Sequence, residues 1–194
     1  MKFKKLYNIF HVHATLLRIF LLLPALLFPG VIWGQTNITS LSSITNPDGH
    51  YVITQDITSG TPDVTTFNGT LEADIDPATK MPYRIKNLSA PLFTTLTGTV
   101  KNIVIENVTI TSGDASGNTG AIACTANGAA RIYNVGILGG SVGGSNDVGG
   151  LVGILDGTAR VVNCYSYANI TGGDSVGGIV GYNRVATTSA SANL

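Results

Sequence analysis

The chain has 194 residues, enough for one domain of ordinary size, and its formal net charge at pH 7 is zero. Four of its eleven basic residues precede position 35 and all eleven acidic residues follow it, so residues 35–194 carry a net charge of −4. A mildly acidic domain is a poor partner for nucleic acid or anionic lipid, and we expect neither as a ligand. The 24 glycines, with frequent Thr, Asn, Val and Ile, argue against a helical fold.

The first 34 residues are predicted to be an export signal. Four basic residues precede an apolar run at positions 19–33, which two prolines interrupt. A basic start followed by a short apolar core is typical of a cleaved signal peptide, whereas a spanning helix needs about 20 apolar residues. We therefore expect cleavage after Gly34, a secreted or cell-surface protein, and no membrane span in the mature part. An uncleaved anchor is the alternative.

Residues 35–90 are predicted to form an N-terminal cap and the first irregular coil or coils of a solenoid. Short strand patterns occur at 51–57, 67–76 and 82–88, and a loop at 76–81 separates the last two. These segments do not follow the spacing of the repeats further along the chain. A solenoid needs such a cap, because its first strands would otherwise present an open edge.

Residues 91–183 contain a repeat. The sequence VGGLVG at 148–153 recurs as VGGIVG at 176–181, and GAARIYNV at 128–135 is followed 29 positions later by GTARVVNC. Each copy consists of short β-type bursts separated by Gly, Asn and Asp, and bursts of this length are too short for helices. The repeat therefore predicts an all-β, single-stranded parallel β-helix with about 28–32 residues per coil. Residues 184–194 are predicted to be a disordered or truncated tail.

Two ladders of equivalent side chains follow from this spacing. Because each burst pairs with the same burst of the next coil, repeated positions should lie directly over one another. An apolar ladder is expected inside the coils, and an asparagine ladder is expected at a corner, where amides bond to their neighbours above and below. The apolar ladder comprises Leu92, Ile122, Leu151 and Ile179, and the amide ladder comprises Asn102, Asn134 and Asn163.

The alignment also separates the two cysteines. Cys124 lies over Gly153, and Cys164 lies over Val135, so the two thiols occupy different places around the coil. A bridge would have to cross the coil, which the geometry of a disulfide disfavours. We therefore predict two unbridged, buried cysteines.

Metal or glycosidase chemistry would need clustered ligands or paired acids, and the sequence offers weak candidates for both. His50 is the one histidine after the signal, no His-Glu-x-x-His motif occurs, and we interpret His50 as a plain surface residue. Glu72, Asp74 and Asp76 alternate along one strand and could supply paired carboxylates. The favoured interpretation of these three acids is a solvated charged edge.

Two further sets of residues recur in the repeats. Asp147, Asp156 and Asp174 are interpreted as turn residues that bond their own backbone, with a calcium ladder as the alternative. The tyrosines of the last coil would form either part of the core, which we favour, or an exposed aromatic strip that contacts sugars. They are Tyr165, Tyr167 and Tyr182.

The repeat resembles a known group of bacterial proteins. The stretch 148–181, with VGGLVG, VNCYSYANITGG and VGGIVG, is similar to GLUG-motif repeats of surface proteins. The stretch 51–108 resembles the segment that often precedes such repeats. The resemblance implies a right-handed parallel β-helix exported by bacteria, with relatives among adhesin-like proteins and in the non-catalytic portion of IgA1-specific metallopeptidases.

These observations predict an exported, adhesin-like β-solenoid module that binds host or matrix partners without catalysis. No catalytic, cofactor-binding or metal-ligating residue is assigned, and no cofactor is expected. The expected partner is a protein or a carbohydrate at the cell surface. The alternative is a carbohydrate-acting β-helix enzyme, such as a polysaccharide lyase or glycoside hydrolase, or the non-catalytic region of a larger secreted hydrolase.

Overall fold

Neighbouring strands run parallel, and each lies beside its equivalent in the next coil. The computed structural model describes residues 34–58 and 60–185. A single-turn 3-10 helix at Leu41–Ser43 is the only helix among these described residues. The strands, in chain order, are β1 (Thr36–Ile38), β2 (His50–Ile53), β3 (Thr66–Phe67), β4 (Thr70–Ala73), β5 (Arg84–Lys86), β6 (Phe93–Leu96), β7 (Thr99–Ile110), β8 (Ala123–Ala126), β9 (Arg131–Gly143), β10 (Val148–Gly149), β11 (Val152–Gly157), β12 (Arg160–Val162), β13 (Tyr165–Ser166), β14 (Asn169–Thr171), β15 (Val176–Gly177) and β16 (Val180–Val185).

Three parallel sheets form the walls of a solenoid. The long sheet has the order β1, β2, β4, β7, β9, β12. In addition, β5 pairs with β7, and β13 and β14 pair with β9. The second sheet has the order β16, β11, β8, β6, β3, and the short sheet pairs β10 with β15. Val152 pairs with Ala123 in the preceding coil and with Val180 in the following one. The predicted all-β solenoid is confirmed, with about four turns of about 29 residues.

The predicted apolar ladder is confirmed at the positions that directly precede the strands β6, β8, β11 and β16 of the second sheet. Ile122 and Leu151 are fully buried, and Leu92 is nearly so. The backbone amide of Ile122 donates to the carbonyl oxygen of Leu151 at 2.9 Å. The backbone amide of Leu151 in turn donates to the carbonyl oxygen of Ile179 at 2.9 Å. Ile179, in the last described coil, is half-buried and packs against the same core. Equivalent apolar side chains therefore bury one another from coil to coil.

Aromatic rings extend the core into the N-terminal coils. The rings of Phe67 and Phe93 are stacked, with centroids 4.5 Å apart and an interplanar angle of 5°. Tyr51 lies against Phe67 at 6.2 Å, and its hydroxyl accepts a hydrogen bond of 2.8 Å from the amide of Asn46. Leu41 is fully buried in the same core. The N-terminal coils thus bury large side chains although their lengths differ from that of the repeats.

The boundaries of the predicted segments remain predictions. The signal at 1–34 falls almost wholly outside the described residues, as does most of the tail at 184–194. Over the described part of the chain, the structure has no helix of the length and apolarity that crossing a bilayer requires.

The predicted asparagine corner is confirmed in the long sheet. Asn102, Asn134 and Asn163 have φ angles of 56°, 55° and 51°, a left-handed conformation that asparagine tolerates better than most residues. The Asn134 amide donates to Oδ1 of Asn102 at 3.0 Å, and that of Asn163 donates to Oδ1 of Asn134 at 2.7 Å. A second left-handed corner follows in the same sheet at Asn87 and Asn107. The ladder therefore stabilises both the turn and the stacking of coils.

The glycines of the repeated VGG segments are required by close backbone contact. A side chain at Gly149 would overlap the carbonyl oxygen of Val152 and would approach the amide nitrogen of Gly181 to 2.6 Å. A Cβ atom at Gly153 would lie 2.6 Å from the carbonyl oxygen of Cys124 in the preceding coil. These corners can tighten only where no side chain is present.

Replacing Asn134 should separate the two roles of the asparagine corner. Asn134→Ala loses the ladder bonds and forces alanine into the left-handed region, so we expect a loss of about 1–3 kcal/mol in the free energy of unfolding. Asn134→Gly loses the same bonds but tolerates the backbone conformation, so its loss should be smaller by about 1 kcal/mol. Urea unfolding followed by circular dichroism measures both.

Asn169→Ala provides the matched control, because Asn169 is an exposed strand residue of β14 without a left-handed φ angle. It should change the free energy of unfolding by no more than about 0.5 kcal/mol. Equal losses for the alanine and glycine variants of Asn134 would show that backbone conformation does not contribute.

Candidate functional site

The three acids considered as paired carboxylates are held by different partners. Glu72 lies in β4, whereas Asp74 and Asp76 lie beyond its end. The carboxylate of Asp74 accepts a hydrogen bond of 2.7 Å from the amide of Ile75. Asp76 accepts a hydrogen bond of 2.9 Å from the amide of Ala78 and one of 2.8 Å from the hydroxyl of Thr79. These bonds, and the one from Ala78 most of all, hold the pKa of Asp76 below its ordinary value. Asp74 and Asp76 are thus each engaged by backbone or side-chain groups of their own turn.

Glu72 instead belongs to a polar network that crosses three coils. Its Oε1 lies 2.6 Å from Nε2 of His50, and its Oε2 lies 2.9 Å from Nζ of Lys101. Partial burial would raise the pKa of Glu72, but hydrogen bonds from Lys101 and His50 outweigh it and keep the pKa below its ordinary value. The hydrogen bond to Glu72 correspondingly raises the pKa of Lys101. His50 therefore differs from the prediction of a plain surface residue, because a carboxylate from the next coil binds it.

The three recurring aspartates do not form a ladder. Asp156 accepts a hydrogen bond of 2.7 Å from the amide of Gly157, as predicted for a turn residue, and also pairs with Arg184 at 2.9 Å. The amide of Asp174 donates to the carbonyl of Asn146, next to Asp147, whereas Asp156 lies in β11 and pairs in register with Arg184, so Asp156 is not stacked on the other two. No group of three or more His, Cys, Asp or Glu side chains suited to a metal occurs in residues 34–58 and 60–185.

Both cysteines are unbridged, as predicted. Burial raises the pKa of the Cys124 thiol to about 11. Burial also raises the pKa of Cys164, which is only partly buried and packs against the core. Because the thiolate is the nucleophilic form, neither cysteine is poised for nucleophilic chemistry near neutral pH.

The preference for core packing of the tyrosines was wrong. Tyr165, Tyr167 and Tyr182 expose 41%, 73% and 45% of their surface. The reason is the corner at Asn163, whose left-handed backbone interrupts the in-out alternation of the strand, so that Cys164 points inward and Tyr165 outward. Tyr165 and Tyr167 lie together with ring centroids 5.6 Å apart, whereas Tyr182 lies on another strand beside Arg184.

Other surface ion pairs join residues that the sequence analysis did not connect. Arg84 binds Glu106 at 3.2 Å, across the pairing of β5 with β7. Lys86 binds Asp56 at 2.7 Å, and this contact is the main cause of the lowered pKa of Asp56. The partners lie 22 and 30 positions apart in the sequence. Because the first coils differ in length, no regular spacing in the sequence indicates these pairs. Knowledge of the strand register would have been needed to find them.

The comparison with known families bears on the part of the chain that contains these ion pairs. A model of the family described as the M26 IgA1-specific metallo-endopeptidase N-terminal region matches residues 41–139, just over half of the chain. The chain belongs to this family. The M26 N-terminal region extends here from the 3-10 helix into β9, so the VGG repeats at 148–181 follow the matched part. No curated protein and no solved structure matched the chain.

Membership of the M26 N-terminal region confirms one part of the predicted resemblance. The relationship to IgA1-specific metallopeptidases holds, and the family name places the matched segment in the N-terminal region of such enzymes. The assignment of residues 148–181 to GLUG repeats stays a prediction, since the match ends before them.

Glu72→Gln should lower stability in a pH-dependent way. The folded-state pKa of Glu72 is depressed, so its stabilising contribution is present above the ordinary pKa and is lost as the pH falls through the folded-state value. Because the network is partly exposed, we expect a loss below about 1 kcal/mol at pH 7 and no difference from the unchanged protein at more acidic pH. Urea unfolding at a series of pH values measures both.

Asp63→Asn is the control, because Asp63 is an exposed acid and forms none of the ion pairs found among the described residues. It should shift the unfolding curve little at any pH. A constant difference between Glu72→Gln and the unchanged protein, extending to acidic pH, would contradict an ionic role for Glu72.

Proposed function

We propose that the chain is an exported β-solenoid module of a larger secreted or cell-surface protein, and that it has a structural and binding role without catalysis. The observation that carries this proposal is the filled stack of parallel coils. Its interior positions, such as Leu71, Ile105 and Ile137, are fully buried apolar side chains. A partner must therefore bind on the outer surface, which the coils display as extended flat faces.

The family relationship favours a structural role for this chain over a role as a peptidase. The matched family is the N-terminal region of a metallo-endopeptidase. A catalytic zinc site needs three protein ligands, commonly from a His-Glu-x-x-His helix. The sequence lacks that motif, and its one histidine after position 34, His50, is bound to Glu72. We assign peptidase activity to a part of the protein outside this chain.

The carbohydrate-acting enzyme is the less favoured candidate. Glycoside cleavage uses two carboxyl groups on either side of the scissile bond. Glu72 is held by His50 and Lys101, and Asp76 is held by its own turn. Both carboxylates are thus engaged by groups of the protein itself. Binding to a host or matrix partner therefore accounts better for a displayed solenoid surface.

The export step is tested by the N-terminus of the mature protein. When the full chain is produced in bacteria, we expect a product that begins at Gln35 and is found outside the cytoplasm, as determined by mass spectrometry of cell fractions. Leu22→Arg places a charge in the apolar run and should block both export and cleavage. Thr65→Arg, at an exposed position of the solenoid, should leave both unchanged. Cytoplasmic accumulation of the unchanged chain would contradict the proposal.

The absence of catalysis is tested with the mature protein directly. We expect no cleavage of IgA1, of polygalacturonate or of neutral plant and bacterial polysaccharides over long incubation, measured by electrophoresis and by the release of reducing ends. If a polysaccharide is cleaved and both Glu72→Gln and Asp74→Asn abolish the activity, the enzyme alternative is correct. The Asp63→Asn variant controls for general effects of removing an acid.

A further inference from the structure

The outer surface of the long sheet changes from charged to aromatic along the solenoid. In four successive coils, the part of this sheet around β5, β7, β9 and β13 presents two outward positions per coil, and these positions lie over one another in register. We call this surface the tyrosine face. Its outward pairs, in the order of these four coils, are Arg84 and Lys86, Val104 and Glu106, Gly136 and Leu138, and Tyr165 and Tyr167, and Asp56 of the preceding coil adjoins the first pair.

The charges on the tyrosine face neutralise one another. Arg84 pairs with Glu106 at 3.2 Å, and Lys86 pairs with Asp56 at 2.7 Å. The backbone amide of Arg84 also donates to Asp56 at 2.9 Å. The two cations and two anions therefore leave no net charge on this part of the surface. A strongly acidic or basic ligand would find no unpaired complementary charge there.

The aromatic end of the face is built by a glycine. Tyr165 pairs in register with Gly136, and a Cβ atom at Gly136 would overlap the Tyr165 ring. The ring therefore lies down over the backbone of the preceding coil. Tyr167 stands beside it, 73% exposed, with the two ring planes inclined by 50°. Half-buried Leu138 occupies the outward position beneath Tyr167.

Two inclined tyrosine rings over a small apolar floor suit a ligand that is apolar on one side and polar at its edge. Tyrosine offers a rigid apolar ring together with a hydroxyl, and ring and hydroxyl can both contact such a ligand. Within residues 34–58 and 60–185, neither hydroxyl forms a hydrogen bond to the protein. The centroid separation of 5.6 Å is comparable with the length of one pyranose unit.

We infer that the tyrosine face binds a neutral polysaccharide, with pyranose rings stacked on Tyr165 and Tyr167. The inclination of the two rings favours a single twisted glycan chain over a flat crystalline surface. A protein partner is less well matched, since a stable protein interface buries about 1,600 Å² with several apolar anchors, and this patch offers two exposed rings. The inference rests on the proposed function and specifies the chemistry of its surface ligand.

The test measures binding of the mature protein to soluble neutral oligosaccharides. The probes are hexasaccharides of β-linked glucose, mannose, galactose and N-acetylglucosamine, with polygalacturonate as the charged comparison, and titration calorimetry measures affinity. We expect at least one neutral hexasaccharide to bind and polygalacturonate to bind more weakly. Tyr165→Ala and Tyr167→Ala should each weaken that binding by about fivefold or more.

Tyr182→Ala is the matched control, because Tyr182 is similarly exposed but lies in the second sheet. It should leave the affinity unchanged. Tyr167→Phe keeps the ring and removes the hydroxyl, so it should retain most of the affinity, because the ring provides the stacking surface. Circular dichroism of each variant shows that the solenoid is intact.

The inference is overturned if no neutral hexasaccharide binds, if polygalacturonate binds best, or if both tyrosine-to-alanine variants bind as tightly as the unchanged protein. Capture of a protein that competes at Tyr165 and Tyr167, without any glycan binding, would also overturn it. None of these results touches export or the mature N-terminus at Gln35, so failure of the glycan inference is distinguishable from failure of the proposed function.

Discussion

Parallel hydrogen bonding between successive coils is the interaction on which the whole molecule depends. A strand such as β9 has backbone groups that are satisfied only by β7 on one side and by β12 to β14 on the other. Since each coil must match the path of its neighbours, residues at equivalent positions experience the same surroundings. An inward position has to be apolar in every coil, and a tight corner has to be a glycine or a left-handed asparagine. The repeat in the sequence is the consequence of this physical requirement.

The same constraint decides where charged side chains find partners. On a parallel stack, the nearest outward neighbours of a residue belong to the adjacent coils rather than to the same segment of chain. Glu72 thus meets Lys101, and Asp156 meets Arg184. Such pairs tie the coils together at the surface while the apolar ladders do so inside. The outer faces become patterned, with neutralised charges towards the N-terminal coils and exposed rings in the last coil.

This division between a filled interior and a patterned exterior links the fold to the proposed role. In this module of the M26 N-terminal region, buried apolar side chains occupy the interior. The side chains that can contact a ligand are therefore those of the outer faces. Flat faces of stacked strands repeat the same geometry every coil, which suits ligands that are themselves extended and repetitive. The glycine at position 136 and the tyrosine at 165 show how one coil can depart from the next to create a distinct surface without disturbing the stack.

The sequence alone determined the period, the apolar ladder through Leu151, the asparagine corner at Asn134 and the separation of the cysteines, because parallel stacking converts equal spacing into direct contact. Only the tertiary structure decided which way Tyr165 points and which cation binds Glu72. The direction of Tyr165 depends on the left-handed residue at Asn163, which interrupts the alternation by which faces are assigned from sequence. The partner of Glu72 depends on the offset between coils, and that offset is 20 residues for His50 and Thr70 but 29 for Thr70 and Thr99. Such offsets are set by how each loop packs, and no local pattern encodes them.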